Sequence, residues 1–221
     1  MLIVLEGLDG AGKTTQINLL QEYFEGEGVK TKYLHFPRYD SPVFGELIAR
    51  FLRGDLGPVE QVHPLLVALL FAGDRREASE EIRAWLSKGY SVILDRYIYS
   101  NIAFQCAKCK DKESAEELRG WILNTELNVF KIPVPDLNIF LDVPLESIQE
   151  RLNKSREGDE RSYLNGKQDI HEACMEFQSK VREIYLEECN TGGALIRVDC
   201  SGSEGKMLTA VEVSEKIISY L

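Results

Sequence analysis

The residues best placed to do chemistry lie almost at the start of the chain. Gly7-Leu8-Asp9-Gly10-Ala11-Gly12-Lys13-Thr14-Thr15 gives a glycine, four further residues, then Gly-Lys-Thr. Glycines let the backbone approach a ligand closely, and the amides of such a turn converge on anionic oxygens. A lysine adds a point charge for the outer phosphates, and a threonine hydroxyl can reach a magnesium ion. The set Gly7, Gly10, Ala11, Gly12, Lys13, Thr14 and Thr15 therefore reads as a polyphosphate cradle. A second centre is Asp95-Arg96, directly after the apolar run "SVIL". Asp95 can hold magnesium-bound water or orient a second phosphate, and Arg96 can clamp two phosphate oxygens at once. Thr14 and Asp95 are the candidate metal contacts.

These residues need a strand before the glycines and a helix after them. "LIVL" at 2–5 is a short buried-strand pattern, and from Thr14 onward Ile17, Leu20 and Phe24 share a helical face that stops at Gly26 and Gly28. "KTKYLHF" reads as a second strand. "SPVFGELIARFLRG" reads as a helix with Ser41 as its cap and Pro42 at its first position. A long helix from His63 to Gly89, the strand "SVIL", charged helical sequence to about Phe130, the strand "LNIFLDV" and the helix "PLESIQERLNKSR" follow. "EGDERSYLNGKQD" lacks apolar periodicity and reads as a loop. A helix from Ile170, the strand "ALIRVDC" and the helix "TAVEVSEKIISYL" end the chain. Strands alternating with helices predict an α/β sandwich around a parallel sheet in one domain over 1–221, with a lid at about 152–168.

The chain has 221 residues, a net charge of −10 and a pI near 5.0, which argues against broad nucleic-acid affinity. No apolar run approaches the ~20 residues needed to span a bilayer, and "MLIVLEGLDG" lacks the basic lead of a signal peptide, so the expected location is cytoplasmic. The five cysteines include Cys106 and Cys109 in "CAKC", but no second close pair of ligands accompanies them. They are expected to be structural or incidental.

The phosphate loop alone does not choose a reaction. A GTPase switch needs a base-reading N-K-x-D, and "NKSR" at 153–156 lacks the aspartate. An arginine after Asp95 has no obvious use in a hydrolase, whereas an enzyme binding a second phosphate needs one.

Taken together, "GLDGAGKTTQ", "FPRYDS", "LLFAGDR", "DRYIYSNIAFQ", "PDLNIFLDV" and "FQSKVREIYL" make the whole chain resemble the thymidylate kinases. The resemblance implies a P-loop fold with a five-stranded parallel sheet, a mobile lid and a homodimer. It also implies transfer of the ATP γ-phosphoryl group to dTMP with Mg²⁺. By the same resemblance Asp9 accepts a hydrogen bond from the sugar 3′-hydroxyl, and Ser100 and Gln105 face the thymine. Phe104, where many relatives carry tyrosine, crowds the sugar 2′ carbon, and Arg38 reaches the acceptor phosphate. Phe71 and Arg75, one helical turn apart, suit a base: the ring stacks on the pyrimidine while the guanidinium reaches a carbonyl oxygen. Arg151 could stack on adenine. Some relatives carry an arginine in the loop where this chain has Gly10, so the missing cation is expected from Arg156 or Arg161 in the lid. Another monophosphate, an unphosphorylated deoxynucleoside, or a non-catalytic nucleotide switch remain as alternatives.

Overall fold

The computed structural model describes residues 1–58, 61–154, 175–191, 194–202 and 207–221, and of 150–154 the backbone. Five strands, β1 (Leu2–Glu6), β2 (Thr31–His35), β3 (Ser91–Asp95), β4 (Leu137–Asp142) and β5 (Leu195–Asp199), form one parallel sheet in the order β2-β3-β1-β4-β5. β1, β3 and β4 are buried along their whole length, which is why they read as uninterrupted apolar runs.

Alternate residues of β1 feed two cores. Ile3 and Leu5 pack with Ile17, Leu20 and Phe24 of α1 (Lys13–Gly26), Val181 and Tyr185 of α7 (Met175–Asn190), and Val213 and Ile217 of α8 (Ala210–Ile218). Leu2 and Val4 pack with Ala78 and Ile82 of α3 (Pro64–Ser87), and with Leu118 and Ile122 of α5 (Lys112–Leu123). α4 (Ile98–Cys106) bridges the cores, with Ile102 in one and Ala103 in the other. The expected three-layer P-loop sandwich is the observed fold. α6 (Leu145–Lys154) follows β4, and most of the expected lid, 155–168, lies outside the described residues.

Two elements differ from the sequence reading. α2 (Phe44–Leu52) starts two residues after Pro42, because the chain first turns at 38–41 with the Ser41 amide donating to the Arg38 carbonyl at 2.9 Å. Ser41 still serves the helix: its Oγ accepts from the Gly45 amide at 3.1 Å. The charged stretch to Phe130 is also not one α-helix, since α5 passes into a π-helical turn at Asn124–Val129. A glycine fixes how the 36–44 segment meets α3. A Cβ at Gly73 would stand 2.2 Å from the Phe44 ring, so the close approach requires its absence.

Candidate active site

Every strand runs the same way, so the C-terminal ends of β1, β2 and β3 gather their following loops at one edge, next to the β1–α1 loop. Gly12, at φ 84°, takes the left-handed conformation that turns the loop into α1. Lys13 opens α1 and curls back, its Nζ donating to the Leu8 carbonyl at 3.2 Å and standing 3.8 Å from Asp95 Oδ1. Burial lowers the Lys13 pKa, and the neighbouring Arg96 adds to that. Thr14 and Thr15 face solvent at the helix start.

Asp95 ends β3. Burial works to raise its carboxyl pKa, but Lys13 and the contact with His35 outweigh this and hold it below the usual carboxylate value. His35 Nδ1 lies 3.3 Å from Asp95 Oδ2, while Oδ1 is buried without a hydrogen-bond partner. An orphaned carboxylate oxygen beside the Lys13 ammonium, with Thr14 exposed nearby in sequence, fits a magnesium ion held mainly by water and phosphate rather than by a protein cage. The described residues contain no cluster of three or more His, Cys, Asp or Glu side chains suited to a metal.

Arg96 is thrown into the site by a strained backbone, φ 67° at a non-glycine residue, pinned where its amide donates to the Leu5 carbonyl at 2.9 Å. Its guanidinium pairs with Asp9 at 2.5 Å, donates to Ser100 Oγ at 3.2 Å and lies 5.0 Å from the centroid of the Phe104 ring. Burial opposes ionisation of Asp9, but Arg96 and then Lys13 prevail and depress its carboxyl. The Asp9–Arg96 pair thus joins the phosphate loop to the neighbouring pocket, whose walls include Asp9, Pro37, Tyr39, Phe71, Arg75, Arg96, Ser100, Asn101, Phe104 and Gln105.

The structure brings nearly all of the expected second-substrate residues to this pocket. Phe71 and Arg75 line it together from α3, and Phe104 and Gln105 from α4. Gln105 Oε1 accepts from Lys108 at 2.7 Å. Arg38 is placed differently, outside the lining residues. Its Nε donates to Asp74 Oδ1 at 2.9 Å and its amide to Asp74 Oδ2 at 2.8 Å. The Asp74 carboxylate is buried on α3 and takes this cation and the Ser41 hydroxyl as its partners. Arg151 falls on α6 with its side chain outside the described residues, as are Arg156 and Arg161 altogether.

Four residues of the site escaped the sequence reading. Glu6, fully buried at the end of β1, accepts from the Tyr97 amide at 2.9 Å, the Ser100 amide at 3.1 Å and Tyr185 Oη at 3.0 Å, and also from the Ser100 hydroxyl. It caps α4 from another element, since Tyr97 at the cap position offers no side-chain bond. Burial pushes its carboxyl up, against the pull of Ser100 and Arg96. The signal was available as one acid closing an otherwise apolar strand. Asp74, Asn101 and Glu126 had no such signal, because each is one polar residue among several on its helix. As for the cysteines, Cys106 donates to the Ala115 carbonyl at 3.4 Å and burial pushes its thiol up to about 12, which leaves no reactive thiolate.

Comparison with known proteins follows the same lines. The family model described as thymidylate kinase matches residues 5–211. A probable thymidylate kinase of Thermococcus kodakarensis is 38% identical over 192 residues, covering 85% of this chain and 83% of its own. The thymidylate kinase of Mycobacterium tuberculosis is 34% identical over 188 residues, 85% of each. The solved thymidylate kinase of Candida albicans superimposes with a TM-score of 0.73 at 30% identity, covering 99% of this chain and 89% of that one. With the family model matching residues 5–211 and relatives 34 and 38% identical along most of its length, the chain belongs to the thymidylate kinase family.

Proposed function

We propose that the chain transfers the γ-phosphoryl group of ATP to dTMP, giving ADP and dTDP. The observation that carries this reading is the continuity of the phosphate loop with a second pocket that has an aromatic wall, two arginines and a carboxylate. An unphosphorylated acceptor would leave Arg96 only its contacts within the protein, with Asp9 and Ser100.

The acceptor phosphate oxygen is already nucleophilic near neutral pH, so the protein need only align two anions and neutralise the charge between them. Lys13 leaves its loop carbonyls for the donor phosphates, and Arg96 holds the acceptor phosphate. Asp9 accepts the sugar 3′-hydroxyl, Phe71 stacks on the base, Arg75 meets a carbonyl oxygen and Phe104 crowds the 2′ carbon. Ser100 and Gln105 support the base pocket. Arg38, now on Asp74, is close enough in sequence to the pocket residues Pro37 and Tyr39 to swing toward the acceptor. Thr14 and Asp95 would hold Mg²⁺, which when bound offsets charge on the transferring group. Lid arginines Arg156 and Arg161 supply a further cation, and Arg151 stacks on adenine. The reading includes a homodimer and a cytoplasmic location; among the described residues no helix is long and apolar enough to cross a membrane.

The test is coupled ADP release with a panel of nucleoside monophosphates and thymidine. ADP release that depends on dTMP, with little on thymidine, supports the reading. Release with thymidine alone would make the chain a deoxynucleoside kinase, and release indifferent to acceptor would make it a hydrolase or switch.

A further inference from the structure

Arg75 of the acceptor pocket is held by a carboxylate, Glu126, that none of the roles above uses. Arg75 is 2% exposed and its Nε and Nη2 both donate to Glu126, at 2.5 and 2.7 Å. Glu126 is fully buried in the π-helical turn and does not line the pocket. Its Oε1 also accepts from Asn101 Nδ2 at 2.9 Å, and the same Nδ2 donates to the Ala68 carbonyl at 3.0 Å.

Both partners of that amide nitrogen are acceptors only, so the orientation of the Asn101 amide is dictated by chemistry. Nδ2 must face Glu126 and Ala68. Oδ1 is left over, and it is buried with no hydrogen-bond partner in a residue that lines the pocket. An orphaned buried acceptor is destabilising unless something fills it. Arg75 lines the same pocket and is held by the same carboxylate through Nε and Nη2. One buried carboxylate thus fixes both an acceptor, Asn101 Oδ1, and a cation, Arg75, among the residues that line the pocket.

We infer that Glu126 is a specificity-determining positioning residue: by locking Arg75 and Asn101 it makes the pocket select bases with an imide edge, thymine or uracil, over cytosine. The inference rests on the monophosphate-kinase reading and names what sets its base selectivity. An imide edge offers N3–H to an acceptor and a ring carbonyl to a donor. Cytosine offers the reverse, a bare N3 and an amino group, so it would place N3 against Asn101 Oδ1 and its amino group against a guanidinium. A free asparagine could turn its amide over to suit cytosine. Glu126 forbids this, since the turned amide would face a carboxylate and a carbonyl with an oxygen.

The experiment compares kcat/KM for dTMP, dUMP, dCMP and N3-methyl-dTMP. Wild-type protein is expected to favour dTMP over dCMP by about 10³ or more and to lose about 10² on N3-methylation, as sites built to pair a buried polar group do. In Glu126→Gln the dTMP/dCMP ratio is expected to fall at least about tenfold, mainly through KM for dTMP, with KM for ATP within about twofold. A merely structural role would lower both substrates together and leave the ratio unchanged. Should Glu126→Gln not fold, Glu126→Asp keeps the buried charge, draws it back by one methylene, and is expected to lower the ratio in the same direction. An unchanged ratio in a folded variant overturns the proposal, as does wild-type protein that uses N3-methyl-dTMP as well as dTMP. Wild-type protein with no dTMP activity at all would overturn the underlying functional reading instead.

Discussion

Asp9 illustrates how one carboxylate can hold two relations at once. It sits in a loop built for anions, which is tolerable only because Arg96, 2.5 Å away, and Lys13 offset its charge. A hydroxyl donor from a sugar is the ligand group that such a carboxylate can still accept. Under the proposed reading 3′-deoxy-dTMP should be a poorer substrate than dTMP by about tenfold or more, the scale of one charge-assisted hydrogen bond. In Asp9→Asn that preference should shrink. An undiminished preference in the variant would make Asp9 only a loop-shaping partner of Arg96. Phe71 is a separate case, half-buried and packed beside the Ile48–Phe51–Val67 cluster as well as lining the pocket. Phe71→Ala should raise KM for dTMP by about tenfold, the worth of one base stack, and leave KM for ATP nearly unchanged. A loss of thermal stability with equal change in both constants would return Phe71 to the core.

At the scale of elements, the pocket depends on how the 36–44 segment leans on α3. Asp74 holds Arg38 and Ser41, and Phe44 lies against Gly73. Gly73→Ala would drive a methyl group into the Phe44 ring, a clash worth about 1–3 kcal/mol. We expect a lower midpoint of denaturant unfolding together with a raised KM for dTMP, measured against an ATP constant that moves much less. Equal KM changes would mean that the segment does not shape the pocket. The lid arginines are tested similarly. If Arg156 or Arg161 supplies the missing cation, its alanine variant should lose about 10³ in kcat with dTMP affinity nearly intact.

What the sequence disclosed at this scale follows from local physics. Apolar runs gave β1, β3 and β4, and the Thr209–Glu212 capping box marks the start of α8 where its pattern begins. The loop residues were legible because glycine spacing is a short-range property. Glu6 left a trace as the one acid closing an apolar strand, but its role, like those of Asp74 and Glu126, was not legible, because each acts on a partner far along the chain: Glu6 on Ser100, Asp74 on Arg38, Glu126 on Arg75. The start of α2 was misplaced for the same reason, since Asp74, from α3, holds both Arg38 and Ser41 in the preceding turn.

For the molecule as a whole, the carboxylates of the site divide the pH axis into two windows. Asp9 and Asp95 have folded pKa values below the ordinary aspartate value of 3.8. Their contribution to stability is present above that value and is lost as pH falls through the folded pKa. Glu6 has the opposite sign. Its folded pKa is raised above 4.5, so between 4.5 and the folded value the native state holds a proton that the unfolded chain has released. Stability then falls as pH rises through that window and levels off above it. Glu6→Gln removes this titration while keeping the shape of the side chain. Relative to wild type, the variant should therefore recover stability as pH rises from about 4.5, whatever constant penalty it carries for the lost α4 cap, typically about 1 kcal/mol. Urea unfolding of both proteins at half-unit steps from pH 4 to pH 8 measures the difference directly. A difference that stays flat across the range would show that Glu6 enters the fold already ionised, its four donors outweighing its burial.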